Sequence, residues 1–209
     1  MKEKIVLIGY EESTYAALID YFKNRGDQVF FFDGMELDLT RDDQIARIRD
    51  VVKAKTAAID RLVIDIAGRP LRCPGVAVNA DDFARLQEDY NAIALGTIRI
   101  FNALLPLLRA AATRQVALLT SSDSSVGANQ RTDRAGFCVA AAATNRLMSL
   151  LFHQLRPQGF SFRLYCRDEG LDYAGEFMTR PRCFEQAGSE RAGEYRLAMF
   201  DAHAREVAW

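Results

Sequence analysis

Residues 4–33 read KIVLIGYEESTYAALIDYFKNRGDQVFFFD, and this stretch sets the architecture to expect. KIVLIG (4–9) is a short, continuous apolar run, as in a strand buried on both faces. TYAALIDYFKNRG (14–26) places apolar residues at helical spacing and closes on Gly26, a C-terminal stop. QVFFFD (28–33) reads as a second strand.

The alternation continues outward from there. DDQIARIRDVVKAK (42–55) predicts an amphipathic helix whose first-turn carboxylates suit the helix dipole. RLVIDIAG (61–68) predicts a third strand, followed by the loop PLRCPG. A long helix in two parts is expected from about Asp81 to Ala112. Next come a strand ending in a serine cluster (QVALLTSSDSSVG, 115–127), a helix over 135–156 and a strand, FSFRLYC (160–166). Residues 167–195 are polar and lack regular periodicity, and YRLAMFDAHAREVAW predicts one last strand ending at Trp209. Alternating strands and helices imply a three-layer α/β fold, a doubly wound parallel sheet covered by helices on both faces. No repeat or linker divides the chain, so one domain is expected over residues 1–209.

Composition narrows the function classes. With 209 residues, 49% apolar and 26% charged, the chain has the make-up of an ordinary globular domain. A net charge of -1 gives no reason to expect nucleic acid or an anionic membrane as partner. No apolar run approaches the roughly 20 residues of a membrane span, and the apolar run in MKEKIVLIGY is too short for a secretory segment. Cys73, Cys138, Cys166 and Cys183 form no CxxC pair, and only His153 and His203 are present, so no metal site is expected. These signals predict a cytoplasmic, metal-free protein.

Strand, serine cluster, loop and helix in this order resemble the catalytic segment of the short-chain dehydrogenase/reductase family. The resemblance covers most of residues 4–166 and, more weakly, 196–209, and implies a Rossmann-like sheet. That family opens the helix with Tyr-x-x-x-Lys. The matching positions here are Phe137 and Ala141, with Asn145 where family members often carry Asn. Ser122 matches the family's serine in a gapless reading, with Ser121, Ser124 and Ser125 as competitors. Ile93 falls at the position of the family's relay Asn, and Asn91 two residues away would face another side of the helix. A phenylalanine carries no proton to give, and an alanine has no ammonium to lower a neighbour's pKa. Tyr165 and Tyr173 are possible substitutes, although nothing in their spacing supports either.

The nucleotide end departs from the family pattern too. Its Gly-x-x-x-Gly-x-Gly becomes Gly9, Ser13 and Tyr15, so a ring stands where hydrogen is needed for close backbone approach. Glu11 and Glu12 add carboxylates beside the expected phosphate position. Like charges about 4 Å apart repel by roughly 4 kcal/mol at an effective dielectric near 20, and each tenfold in affinity is about 1.4 kcal/mol. Asp33 stands where an acid would bind a ribose, and Asp38-Leu39-Thr40 resembles the family's adenine-contacting Asp-Val. Asn-Asn-Ala-Gly becomes Asp65-Ile66-Ala67-Gly68, and CRDEG lacks the Pro-Gly that flanks the nicotinamide. The resemblance therefore leaves Gly9, Asp33, Asp38, Ala67 and Gly68 as remnants of a cofactor site, with no cofactor expected.

NAIALGTIRIFNALLPLLRAAAT (91–113) and GFCVAAAATNRLMSLLFHQL (136–155) are apolar around much of their circumference, more than one buried stripe requires. In the related family these helices build the dimer interface. Three readings follow. In the first, a pseudoenzyme acts as a homo-oligomer, or as the non-catalytic subunit of a hetero-oligomer with an active family member. In the second, an oxidoreductase using NAD or NADP works with rearranged catalytic groups. In the third, a small-ligand sensor uses the former substrate cleft, lined by Phe137, Cys138 and the serines.

Overall fold

A computed structural model describes residues 2–69, 75, 79–168, 170–179 and 197–209. Its strands are β1 (Lys4–Gly9), β2 (Gln28–Asp33), β3 (Arg61–Asp65), β4 (Gln115–Thr120), β5 (Ser161–Cys166), β6 (Met199–Phe200) and β7 (Glu206–Val207). Its α-helices are α1 (Ala16–Asn24), α2 (Asp42–Lys53), α3 (Ala80–Tyr90), α4 (Gly96–Arg109), α5 (Ala135–Leu155) and α6 (Ala174–Thr179). The seven strands form one sheet in the order β2-β1-β3-β4-β5-β6-β7, parallel except for β6 against β7.

Alternate residues along each strand point to opposite faces. Val6, Ile8, Leu62, Ile64, Val116, Leu118 and Leu164 pack with α2, α4 and α5. Ile5, Leu7, Val63, Ala117, Leu119 and Tyr165 pack with α1 and α6. Both faces are covered, which is why β3 and β4 are buried along their whole length. The result is the expected three-layer, Rossmann-like α/β architecture. The usual doubly wound order is 3-2-1-4-5-6. Here the chain leaves β2 at Gly34 and runs directly into α2 and across to β3 on the other side of β1, so β2 itself is the edge.

Four boundaries differ from expectation. A 3-10 turn over Glu12–Tyr15 precedes α1, which starts at Ala16 rather than Thr14. The third strand stops at Asp65, because Asp65 Oδ1 accepts the N–H groups of Ala67 (2.7 Å) and Gly68 (3.1 Å) and turns the chain. α3, capped by Asn79, continues through a π-helical turn at Asn91–Leu95 into α4, so the two expected parts form one helical run. The final strand is a short hairpin, its turn held by the Asp201 carboxylate, which accepts from the N–H groups of His203 and Arg205 (both 2.9 Å). Within the irregular stretch 167–195, residues 174–179 form α6; Glu169 and residues 180–195 lie outside the described residues, as do Cys73 and Cys183.

The runs Ala80–Arg109 and Ala135–Gln158 are each long and apolar enough to cross a bilayer. This corrects the expectation that no apolar run reaches that length. Ile93, Ile100, Leu104, Met148 and Phe152 bury these helices against the sheet, so they serve as core helices.

Candidate functional site at the carboxyl edge of the sheet

The carboxyl ends of β1, β3, β4 and β5 converge where an open α/β sheet holds its ligand. Gly9 ends β1, and the Tyr15 ring lies on it: a Cβ at residue 9 would stand 2.4 Å from Tyr15 Cζ. The Tyr10 ring covers Gly34 in the same way, at 2.5 Å from Cε1. The free glycine faces that could admit a phosphate therefore admit side chains of this chain. The 3-10 turn folds Tyr15 back over the strand, and its ring is fully buried.

The Tyr15 hydroxyl sits at the centre of a buried network. It accepts the Tyr10 N–H at 3.1 Å and donates to Asp65 Oδ2 at 2.5 Å. The same carboxylate oxygen is paired with Arg167 Nη1, which also donates to the Tyr15 hydroxyl at 3.3 Å. Gly68 completes the packing, since a Cβ there would meet Arg167 Nη1 at 3.0 Å and the Tyr15 hydroxyl at 3.1 Å. Asp65 thus accepts from two backbone and two side-chain donors, the full complement for a buried carboxylate.

Burial pushes the Asp65 carboxyl above its usual range, opposed by the Arg167 guanidinium and the Tyr15 hydrogen bond. Burial, followed by the Asp65 charge, pushes the Tyr15 phenol up. For Arg167, burial acts to lower the pKa, but the Asp65 charge outweighs it and the guanidinium is held above its ordinary value. The three groups form a neutral-phenol, ion-paired plug. As arranged, they leave no space over Gly9 for a pyrophosphate, and the residues present do not fit a dinucleotide.

The other expected cofactor residues are engaged in local turns. Asp33 Oδ1 accepts from the N–H of Met35 at 2.8 Å and of Glu11 at 3.4 Å. Asp38 is exposed and bonds both the N–H and the hydroxyl of Thr40, which hold its pKa below the usual range. Ala67 and Gly68 lie beyond β3, in the turn organised by Asp65.

At the catalytic end, Phe137 and Ala141 are both 0% exposed and belong to the core beneath α5. The Arg134 guanidinium lies over the Phe137 ring at 4.8 Å. Ser122 is exposed, and its N–H donates to Asp168 Oδ2 at 2.9 Å. Burial would raise the Asp168 pKa, but bonds from the Ser122 and Ser121 hydroxyls hold it below the usual range. The serine that reaches α5 is instead Ser124, whose hydroxyl accepts from Asn145 Nδ2 at 2.8 Å and donates to the Ser121 carbonyl at 2.6 Å. Ile93 is buried in the π-helical turn, and Asn91 is half-buried. Tyr165 belongs to the core on the α1 face, opposite Phe137, and Tyr173 packs against that same cluster. Neither tyrosine is in the core cluster that holds Phe137.

An open cleft of about 410 Å³ does lie beside α5, lined by Asp123, Ser124, Ser125, Arg131, Cys138 and Val139 among others. Cys138 and two of the serines border it as expected, but Phe137 faces the core instead. Its charges are already matched: Arg134 pairs with Asp123 at 2.5 Å, and Arg131 with Asp133 at 2.8 Å. Burial raises the Cys138 thiol pKa, which disfavours a reactive thiolate. Among the described residues no cluster of His, Cys, Asp and Glu could hold a metal ion.

Sequence reasoning missed Arg167. One signal could have found it: Asp65 ends a strand whose centre, Leu62 to Ile64, is apolar and which is buried between two others, and a buried carboxylate needs a cationic partner.

No family model matches the chain. It is 29% identical over 164 residues to the C-signal of Myxococcus xanthus, covering 74% of this chain and 95% of that protein. Among solved structures, one described as a short-chain dehydrogenase/reductase from Burkholderia multivorans with bound NADP superposes with a TM-score of 0.69 at 16% identity. The carbonyl reductase Sniffer of D. melanogaster superposes at 0.66 and 14%. Each match covers 100% of both chains. The chain therefore has the fold of the short-chain dehydrogenase/reductases.

Proposed function

We propose that this chain is a catalytically silent protein on the short-chain dehydrogenase/reductase fold, acting by association rather than by hydride transfer. The observation that carries this reading is the Tyr15 ring lying on Gly9, locked by Asp65 and Arg167. Loss of the acid and the cation at Phe137 and Ala141 supports it from the other end of the site. Even with cofactor present, a carbonyl would find no proton donor there. The relative in M. xanthus bears the name of a signal, in keeping with a role other than turnover.

The association surface is the outer face of α4 and α5. Val139 and Leu150 are 48% and 49% exposed on α5, with Ala142, Ala143 and Leu147 half-buried between them. Ile98 and Leu105 on α4 are half-buried too. The occupant is a second copy of this chain or an intact protein of the same fold. Two experiments test the reading. Oxidation of NADH and NADPH is followed with a panel of carbonyl substrates, and turnover above background would overturn catalytic silence. Sedimentation of Leu150→Lys should show a smaller species than the parent chain; an unchanged size would overturn the helical surface.

The matched ion pairs of the 410 Å³ cleft leave a secondary reading, a sensor of a small neutral ligand. Thermal stabilisation by such a metabolite, but by no dinucleotide, would favour it.

A further inference from the structure

β2 lies at one edge of the seven-stranded sheet. β2 pairs with β1 alone, in unbroken register from Gln28 to Asp33. The N–H of Gln28 donates to the Glu3 carbonyl and that of Gly34 to the Gly9 carbonyl. Even-numbered residues of the strand therefore face β1, and the backbone groups of Val29 and Phe31 and the Asp33 N–H point outward. Among the described residues none of these groups has a hydrogen-bond partner. Proteins usually blunt such an edge with a lysine, a proline or a bulge. QVFFFD has none of these; its one charge is Asp33 at the last position, and its Phe side chains pack against this chain's own core.

Charge around the strand selects the occupant. Exposed Glu11, Glu12 and Glu36 crowd its carboxyl end, where Glu11 N–H reaches the Asp33 carboxylate and Glu36 N–H the Asp33 carbonyl. Exposed Lys2, Lys23 and Lys55 ring its amino end: Lys2 lies by Gly26, Lys23 ends α1, and the Lys55 ammonium is 6.0 Å from the Phe30 ring. An antiparallel copy of the strand sets acids beside lysines at both ends. A parallel copy would set like charges together.

We propose that β2 of one copy pairs antiparallel with β2 of a second copy across a twofold axis, joining two seven-stranded sheets into one. The pairing stands on the strand edge alone and holds whether or not the chain is catalytically silent or associates through α4 and α5.

Amide hydrogen exchange of the full chain, read residue by residue at low and high protein concentration, tests it. Phe30 and Phe32 amides face β1 and should exchange slowly throughout. Val29, Phe31 and Asp33 amides should become slow as concentration rises and sedimentation shows dimer. Val29→Pro removes an outward donor without touching the β1 ladder, so it should abolish that slowing, whereas Leu150→Lys should leave it intact. Outer amides that exchange freely at every concentration would overturn the proposal, as would slow outer amides in a chain that sediments as a monomer. If Val29→Pro does not fold, the exchange profile of the parent chain still decides. Loss of association in Leu150→Lys with unprotected outer amides would instead leave only the helical surface standing.

Discussion

Arg167→Ala probes the plug at the crest of the sheet most sharply. The substitution removes the cation from a carboxylate whose side chain is fully buried, while Arg167 itself is 19% exposed. Breaking a buried pair from one side costs about 3–5 kcal/mol. Asp65 keeps the N–H groups of Ala67 and Gly68 and the Tyr15 hydroxyl, so the lower end, about 3 kcal/mol, is expected near neutral pH. The urea midpoint should fall by roughly 1–2 M at unchanged slope. The cost has a pH signature. Burial raises the Asp65 pKa above its unfolded value, so the folded state binds the extra proton and stability falls as pH rises through that interval. Without Arg167 the folded pKa climbs further. The deficit should then be small below about pH 4, where the carboxyl is protonated in both states, and grow as pH rises. Urea titrations of both proteins from acid to neutral pH read this directly. A deficit that does not vary with pH, or one under about 0.5 kcal/mol at neutral pH, would refute the plug as a charge-paired element.

Three further perturbations bear on the same account. Tyr15→Phe deletes the hydroxyl bridging the Tyr10 N–H, Asp65 and Arg167 and should cost about 1.5–3 kcal/mol in urea unfolding; combined with Arg167→Ala, the losses should fall short of additivity. The double variant Phe137→Tyr/Ala141→Lys restores the missing residue types at positions that are 0% exposed, so it should lower the melting temperature and produce no NADH or NADPH oxidation. Arg61→Ala, at the opposite end of the sheet, strips partners from Glu3, Gln115 and the Met178 carbonyl and should cost about 3–5 kcal/mol by denaturant midpoint. Burial acts to raise the Glu3 pKa, but Arg61 holds it below the usual range; stability conferred by that pair is lost as pH falls, so the variant's acid-side decline should be shallower.

The sheet was legible because its strands are short apolar runs separated by helical periodicity, and β1, β2 and α5 fall within a residue or so of their expected bounds. Boundaries failed where side chains redirect the backbone. Asp65 stopped β3 by capping its own turn, and Asp201 folded the last segment into a hairpin. The site was legible only in the negative. Tyr15, Phe137 and Ala141 were readable as departures from the family pattern that the sequence resembles: a ring in place of hydrogen, and side chains without the hydroxyl or the ammonium. What replaced those groups was not readable. Tyr15, Asp65 and Arg167 are far apart in the chain, and only the parallel crossovers bring β1, β3 and β5 together. Ser124 rather than Ser122 meets Asn145 because a 3-10 turn at Ser122–Ser124 rotates the cluster, and such turns leave little trace in periodicity.

Calorimetric titration of the purified chain with NAD, NADH, NADP and NADPH tests the central claim most directly. With Tyr15, Asp65 and Arg167 in place, the account predicts no saturable heat for any of the four. Micromolar affinity for any one of them would contradict it.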